Sequence, residues 1–286
     1  MYKILHFSSV RKPPGILQLH LQSLNDLNTS GYEVIYSFID DNDDQLSSDL
    51  LKKFCNEKNG RVLLDFDIST LPNYSGDERW QEDLYKRITL IKNKAINYFL
   101  ENNYDYLFLT DSDLIIHPQT LNNLVNAGKD FCASIFWTHF DKSPTYTPNC
   151  WNSVPKGFTL NNLLTWINPG TFEVDFTGAC TLLSRKILSK DVSFEKIKNV
   201  SYLGEDKHFC IRASVLGFQP YINTQNPSFH LYNKDYIKEG LEYIESGYKS
   251  YTDEWLNEKW KKSLINWLEG NRKKSLIKKI ICWLKK

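Results

Sequence analysis

The chain has 286 residues, a formal net charge of +1 and a high aromatic content of 16 Tyr, 16 Phe and 8 Trp. That length supports one large domain or two small ones around a substantial core. With charge near balance, no zinc-finger spacing and no dominant basic face before the C-terminus, nucleic acid is excluded as the expected partner. Cys55, Cys132, Cys150, Cys180, Cys210 and Cys282 form no C-x-x-C pair. They read as reduced, mostly buried thiols rather than as a zinc site or a disulfide framework. The first residues enter a strand pattern without signal-peptide architecture, and no apolar run reaches the length of a membrane span. The expected compartment is the cytoplasm.

In chain order, residues 3–9 read as a buried strand, broken by Pro13, Pro14 and Gly15, and residues 16–27 have helical periodicity. Residues 33–40 read as a second strand ending in Asp40-Asp41-Asn42-Asp43-Asp44. A helix over 46–57, a short strand over 61–66, a long helix over 82–101 containing Arg87 and Lys94, and a strand over 105–110 follow. Alternating strands and helices predict an α/β domain with a mainly parallel sheet flanked by helices. In such sheets ligands bind beyond the carboxyl ends of the strands, where Asp40 and Asp111 fall.

The second half is less regular. Residues 131–137 read as a strand. Residues 141–166 read as a long loop with one helix, and a loop of that length is commonly functional. Its aromatics are Tyr146, Trp151, Phe158 and Trp166. Residues 172–184 pass from strand to helix, 205–216 are helical with Gly217 as the stop, and 219–223 form a short strand.

Asp111-Ser112-Asp113 follows an apolar run. If the segment stays extended through the motif, residues i and i+2 point the same way and both carboxylates face one spot. Two like charges so placed need a cation, and Mg²⁺ or Mn²⁺ takes one or two carboxylates together with substrate phosphates. The bland alternative is a strand ending in a solvated acidic turn.

Three further segments join this motif: Val174-Asp175-Phe176-Thr177-Gly178-Ala179, Leu203-Gly204-Glu205-Asp206 with Arg212-Ala213 and Gly217 downstream, and Pro227-Ser228-Phe229-His230. In this order they resemble the glycosyltransferases of GT-A fold, most closely the inverting family-two type, over residues 1–232. The resemblance implies a single GT-A domain, with 1–116 as the nucleotide-binding half and 117–232 as the acceptor-binding half. It implies a divalent metal, Mn²⁺ or Mg²⁺, and a nucleoside diphosphate sugar as donor, a UDP-sugar first. The acceptor would be a glycan, a lipid-linked sugar or a protein.

Residue by residue, the resemblance makes Asp113 a metal ligand. Asp111 would contact ribose or a metal-bound water or ligate the metal itself, and His230 would be a further ligand. Ser8, Arg11, Asp40, Asp41, Arg87 and Ser112 would line the nucleotide, with Arg87 countering phosphate charge. Asp206 would be the general base and Glu205 would orient it or the acceptor. Thr177 and Gly178 would let backbone approach the donor sugar, and Trp151 would stack on a sugar. A helix start is compatible with a base at Asp206, although the helix dipole tends to lower its pKa.

Each residue has an ordinary alternative. Glu205 and Asp206 could be helix N-terminal acids placed for the dipole. His230 could be a satisfied core histidine, Asp40 part of a solvated turn, and Trp151 a packing residue. A retaining GT-A enzyme with the same metal site stays open, as does a non-catalytic carbohydrate- or membrane-binding protein. A nucleotidyltransferase would carry a Gly-rich phosphate loop after the first strand, whereas Ser8-Ser9-Val10-Arg11-Lys12-Pro13-Pro14-Gly15 has a single glycine.

Residues 233–286 read as a helical extension. In the tail, 271–286, Leu276, Ile277, Ile280, Ile281 and Leu284 share one helical face among lysines. Such a helix can lie in a membrane interface, which would put the protein at the inner face of the plasma membrane. Docking on the protein itself or on a second protomer is the alternative.

Overall fold

The computed structural model describes residues 1–57, 61–63, 67–72, 82–140, 146–153, 157–201 and 204–249, together with Lys262. The chain opens with β1 (Tyr2–Val10), α1 (Pro14–Asp26), β2 (Tyr32–Asp40), α2 (Gln45–Glu57) and β3 (Arg61–Leu63). Next come α3 (Glu82–Glu101), β4 (Tyr106–Thr110), β5 (Leu114–Ile115), α4 (Thr120–Asn126) and β6 (Phe131–Thr138). The irregular part contains β7 (Thr147–Pro148), β8 (Cys150–Trp151), α5 (Leu160–Trp166), β9 (Thr171–Glu173) and β10 (Phe176–Thr177). The chain continues through β11 (Cys180–Ser184), α6 (Arg185–Leu188), α7 (Glu205–Val215), β12 (Tyr221–His230) and α8 (Ile237–Glu245).

The main sheet runs β3-β2-β1-β4-β11-β6-β12-β5. Pairs β2/β3, β1/β2, β1/β4 and β6/β12 are parallel, while β11 runs against both β4 and β6. The fold is therefore α/β, with a mixed, mostly parallel sheet flanked by helices. Alternation along β1 divides the core. Leu5 and Phe7 pack with Ile91 and Phe99 of α3 and Phe209 of α7, while Ile4 and Val10 pack with Leu17 and Leu24 of α1 and Leu51 of α2. Each such fully buried side chain contributes about 1.5–3 kcal/mol.

Two segments depart from expectation. The strand read over 219–223 continues to His230, because a register shift between Asn223 and Ser228 lets the strand carry Pro227, which has no N–H to donate. The motif after β4 does not stay extended: Leu114 N–H donates to Asp111 O at 3.3 Å, a turn across Asp111-Ser112-Asp113-Leu114. The two carboxylates therefore leave the sheet in different surroundings.

α8 lies on α1, β5 and the chain just after β12. A Cβ at Gly240 would come 2.8 Å from both Ile115 Cδ1 and Leu231 Cδ2, so a larger residue there would push those side chains aside. Tyr243 of α8, fully buried, donates its hydroxyl to Pro227 O at 3.1 Å. No helix among the described residues is long and apolar enough to cross a membrane. The tail 271–286 lies outside the described residues.

Candidate active site

The parallel strands β1, β2, β4, β6 and β12 end at Val10, Asp40, Thr110, Thr138 and His230. These ends share one edge of the sheet. The antiparallel β11 begins at that edge, so the turn before it, containing Thr177 and Gly178, arrives there too. α7 starts there with Glu205, after Gly204 at φ +96°, a backbone conformation that suits glycine.

Asp113 and His230 are brought together by strand pairing. Leu114 stands opposite His230 in β5/β12, and Leu231 N–H donates to Asp113 O at 2.8 Å. His230 Nε2 then lies 3.5 Å from Asp113 Oδ2, and Lys12 Nζ, from the loop after β1, reaches the same oxygen at 3.0 Å. Burial alone would raise the Asp113 carboxyl, but Lys12 and His230 hold it well below the usual carboxylate range. The Nδ1 side of His230 pairs with Thr138 Oγ1 at 2.7 Å, which orients the ring with Nε2 toward Asp113.

Asp111 lines a small cavity with Lys92 and Asp206, and so belongs to a second cluster. Lys92 Nζ, from the buried face of α3, donates to Glu205 Oε1 at 2.7 Å and to Asp206 Oδ1 at 2.8 Å. Burial opposes the Lys92 charge, but Asp206, Glu205 and Asp111 hold its pKa well above the usual lysine value. Asp206 is pushed up to about 6 by burial, with Lys92 pulling it down and Glu205 adding to the rise. Burial thus outweighs the helix dipole expected to lower it. Asp111 is pushed up to about 7 by burial, against the pull of Lys92 and with Asp113, Asp206 and Glu205 adding to the rise.

Gly178 makes room for Asp206. A Cβ there would sit 2.0 Å from Asp206 Oδ2, so the carboxylate rests in the space a side chain would fill. The next residue, Ala179, has φ +69°, a strained conformation for a non-glycine residue, and its carbonyl accepts from Asp111 N–H at 2.7 Å. Thr177 is 1% exposed and its hydroxyl has no hydrogen-bond partner among the described residues. It lines a small cavity with Lys92, Asp111, Gly178 and Asp206. Trp151 of β8 is half-buried, with Lys207 Nζ 5.3 Å from its ring centre.

The residues expected around the nucleotide sort differently. Arg87 donates from Nε to Asp41 Oδ2 at 2.9 Å and from Nη2 to Asp41 Oδ1, and both residues are buried. The structure pairs these two with each other, because a buried carboxylate takes a cation. Arg11 binds Asp43 Oδ2 at 2.6 Å and lies 4.0 Å from Asp41 Oδ2. Asp40 accepts from Asn42 Nδ2 at 2.7 Å and Ser48 Oγ at 3.1 Å. Ser8 is fully buried, its hydroxyl without a hydrogen-bond partner among the described residues, and Ser112, within the turn, is buried.

Among the described residues no group of three or more His, Cys, Asp or Glu is placed to hold a metal ion. Asp111, Asp113 and His230 do not form one ligand set. Asp113 and His230 alone give two donors, which fits a divalent ion whose other positions come from substrate phosphates and water. Cys180 and Cys210 are buried, and burial raises both thiols, so neither is a nucleophile.

Lys92, Lys12 and Thr138 were not singled out by sequence reading. The signal for Lys92 is its place on an apolar helix stripe with Ile91, Ala95, Ile96 and Phe99, where a charge must be paired.

Fold and site together define an α/β protein that gathers acids and lysines at the ligand-binding edge of its sheet. No protein-family model matches the chain, and no curated protein matches it. Among solved structures, the mannosyltransferase PcManGT from Pyrobaculum calidifontis, in complex with GDP-Man and Mn²⁺, matches with a TM-score of 0.49 at 10% identity. That match covers 81% of this chain and 57% of the mannosyltransferase. S. aureus TarS 1-349 matches with a TM-score of 0.45 at 12% identity, over 92% of this chain and 79% of that one. Its complex with UDP matches with a TM-score of 0.49 at 14% identity, over 88% and 67%. These are likenesses of chain path, and the chemistry has to come from the side chains.

Proposed function

We propose that this edge is the active site of a glycosyltransferase. It moves a sugar from a nucleoside diphosphate donor, with a UDP-sugar as the first candidate, to a hydroxyl of a carbohydrate, lipid-linked or protein acceptor. The supporting observation is the pair of separate acidic centres at one sheet edge: Asp113 with His230 on Lys12, and Asp206 with Glu205 on Lys92. Inverting transfer needs both. One centre meets the charge of the departing diphosphate, and the other receives a proton on the opposite face of the sugar.

In this reading residues 1–116 carry the donor and 117–232 the acceptor. Asp113 and His230 would hold a divalent ion, which when bound neutralises the diphosphate as a Lewis acid. Lys12 adds a charge beside it. Asp206 Oδ2 accepts the acceptor hydroxyl proton as that oxygen bonds to the anomeric carbon. The bond from that carbon to the diphosphate oxygen breaks, and the diphosphate leaves with the electron pair. An Asp206 pushed up to about 6 is ionised at neutral pH yet basic enough to take a proton.

The test is calorimetric binding of UDP, GDP, CDP and dTDP, with and without Mn²⁺, to the wild type and Asp113→Ala. Metal-dependent binding of one nucleotide, lost in the variant, is expected. Absence of binding to all four would overturn the reading. The anomeric configuration of the product, by NMR, tests the stereochemistry: a retained anomer would remove Asp206 from the base role.

A further inference from the structure

We propose that Lys92 is a positioning residue of the transfer site, whose ammonium holds Glu205 and Asp206 in register and leaves Asp206 Oδ2 over Gly178 as the proton-accepting atom. The inference rests on the glycosyl-transfer reading above.

The geometry divides the two Asp206 oxygens. Oδ1 accepts from Lys92 Nζ at 2.8 Å. Oδ2 has no hydrogen-bond partner among the described residues and occupies the space left by the missing Gly178 side chain. The same Nζ binds Glu205 Oε1 at 2.7 Å, so one ammonium fixes two neighbouring carboxylates of the first turn of α7. Lys92 has little freedom of its own. Its side chain is 9% exposed, and Nζ lies 5.1 Å from the Phe194 ring centre. α3 is held by Ile91, Ala95, Ile96 and Phe99 in the core, so the ammonium is delivered by a long, anchored helix.

The charged and titratable groups facing Asp206 are Lys92 from α3, Glu205 and Cys210 from α7, and Asp111 from the end of β4. Tyr85 of α3 faces Glu205. Lys92 is the cation that hydrogen-bonds this group. Without it, three carboxylates share a mostly buried space, and Asp206 has neither a fixed rotamer nor a charge to keep it ionised. Lys92 touches no reacting atom in this scheme and acts through Asp206.

The experiment compares wild type, Lys92→Gln, Lys92→Arg and Glu205→Gln on three readouts. These are donor turnover, nucleotide affinity by calorimetry, and the titration of Asp206 by carboxyl ¹³C NMR, assigned with Asp206→Asn. In Lys92→Gln, kcat falls about 100-fold with nucleotide affinity unchanged, and Asp206 titrates at higher pH. Lys92→Arg, which keeps the charge, restores most of both. Should Lys92→Gln not fold, Glu205→Gln carries the test in the opposite direction: with one competing carboxylate removed, Asp206 titrates at lower pH. An Asp206 titration unmoved by either change overturns the inference even where turnover is lost. Loss of nucleotide affinity in parallel with kcat overturns it too, since the effect would then be on the scaffold. Absence of turnover in the wild type counts against the transferase reading, and the NMR titration still decides the Lys92–Asp206 coupling.

Discussion

Two lysines organise the two ends of the site under different conditions. Lys12 comes from a loop, is 17% exposed, and reaches Asp113 at 3.0 Å, on an oxygen that His230 also approaches. Lys92 comes from within a long helix, is 9% exposed, and answers to two carboxylates at 2.7 and 2.8 Å. The Lys12–Asp113 pair is partly buried on both sides, 17% and 15% exposed, and its cation comes from a loop rather than from a packed helix. A buried ammonium shared by two acids cannot leave without stranding charge. In the proposed reading, the end expected to meet the diphosphate has its cation on a loop, and the end expected to take the proton has its cation on a packed helix.

The comparison can be broken in several ways. The largest effect is expected from Asp206→Asn, which lowers turnover by about 10³-fold while nucleotide affinity holds. Loss of nucleotide binding in that variant would mean that the two ends are one site. Next is Arg87→Met, which strands the buried carboxylate of Asp41. It lowers stability by about 3–5 kcal/mol in urea denaturation, and an undisturbed midpoint would show that Asp41 is solvated.

Thr138→Val removes the partner of His230 Nδ1, so Mn²⁺ affinity in the presence of nucleotide falls roughly 10–100-fold by calorimetry. The pH profile is a smaller effect. Asp206, pushed up to about 6 by burial, must be unprotonated to act. Turnover is therefore full above that pH and falls about tenfold per unit as pH drops below it, while a limb near the usual Asp value would contradict the burial of this group. The smallest effect belongs to Lys12→Met. Freed of its ion pair, Asp113 binds Mn²⁺ alone about fivefold more tightly, the equivalent of about 1 kcal/mol. Weaker binding would show that Lys12 assists the metal rather than competing with it.

The sheet was legible in the sequence wherever apolar runs alternate with helical stripes, as in residues 3–9, 33–40, 82–101 and 105–110. β12 was legible only as far as Asn223, because Pro227 interrupts the strand pattern and the register shift that admits it is a tertiary feature. At the site, Asp113, His230, Glu205 and Asp206 were visible as types in an order. Their division into two centres was not, since it depends on Lys12 and Lys92, which come from distant parts of the chain. Arg87 and Asp41 were each read as facing a ligand, and a single chain gives no sign that a helix residue and a strand-end residue will take each other. Gly178 was read as letting backbone approach a donor sugar, and its closeness to Asp206 Oδ2 is a tertiary feature that the sequence does not carry.

The glycine of α8 has a consequence for how the diphosphate end can respond to a ligand. Gly240 lets the helix backbone close directly on Ile115 and Leu231, the residues that flank Asp113 and His230 along the chain, and Tyr243 ties the same helix to Pro227. β5 and the end of β12, which adjoin Asp113 and carry His230, are both packed against this helix. In the proposed reading, a cation at Asp113 would compete with Lys12 for the carboxylate, so its affinity would include the work of displacing that lysine.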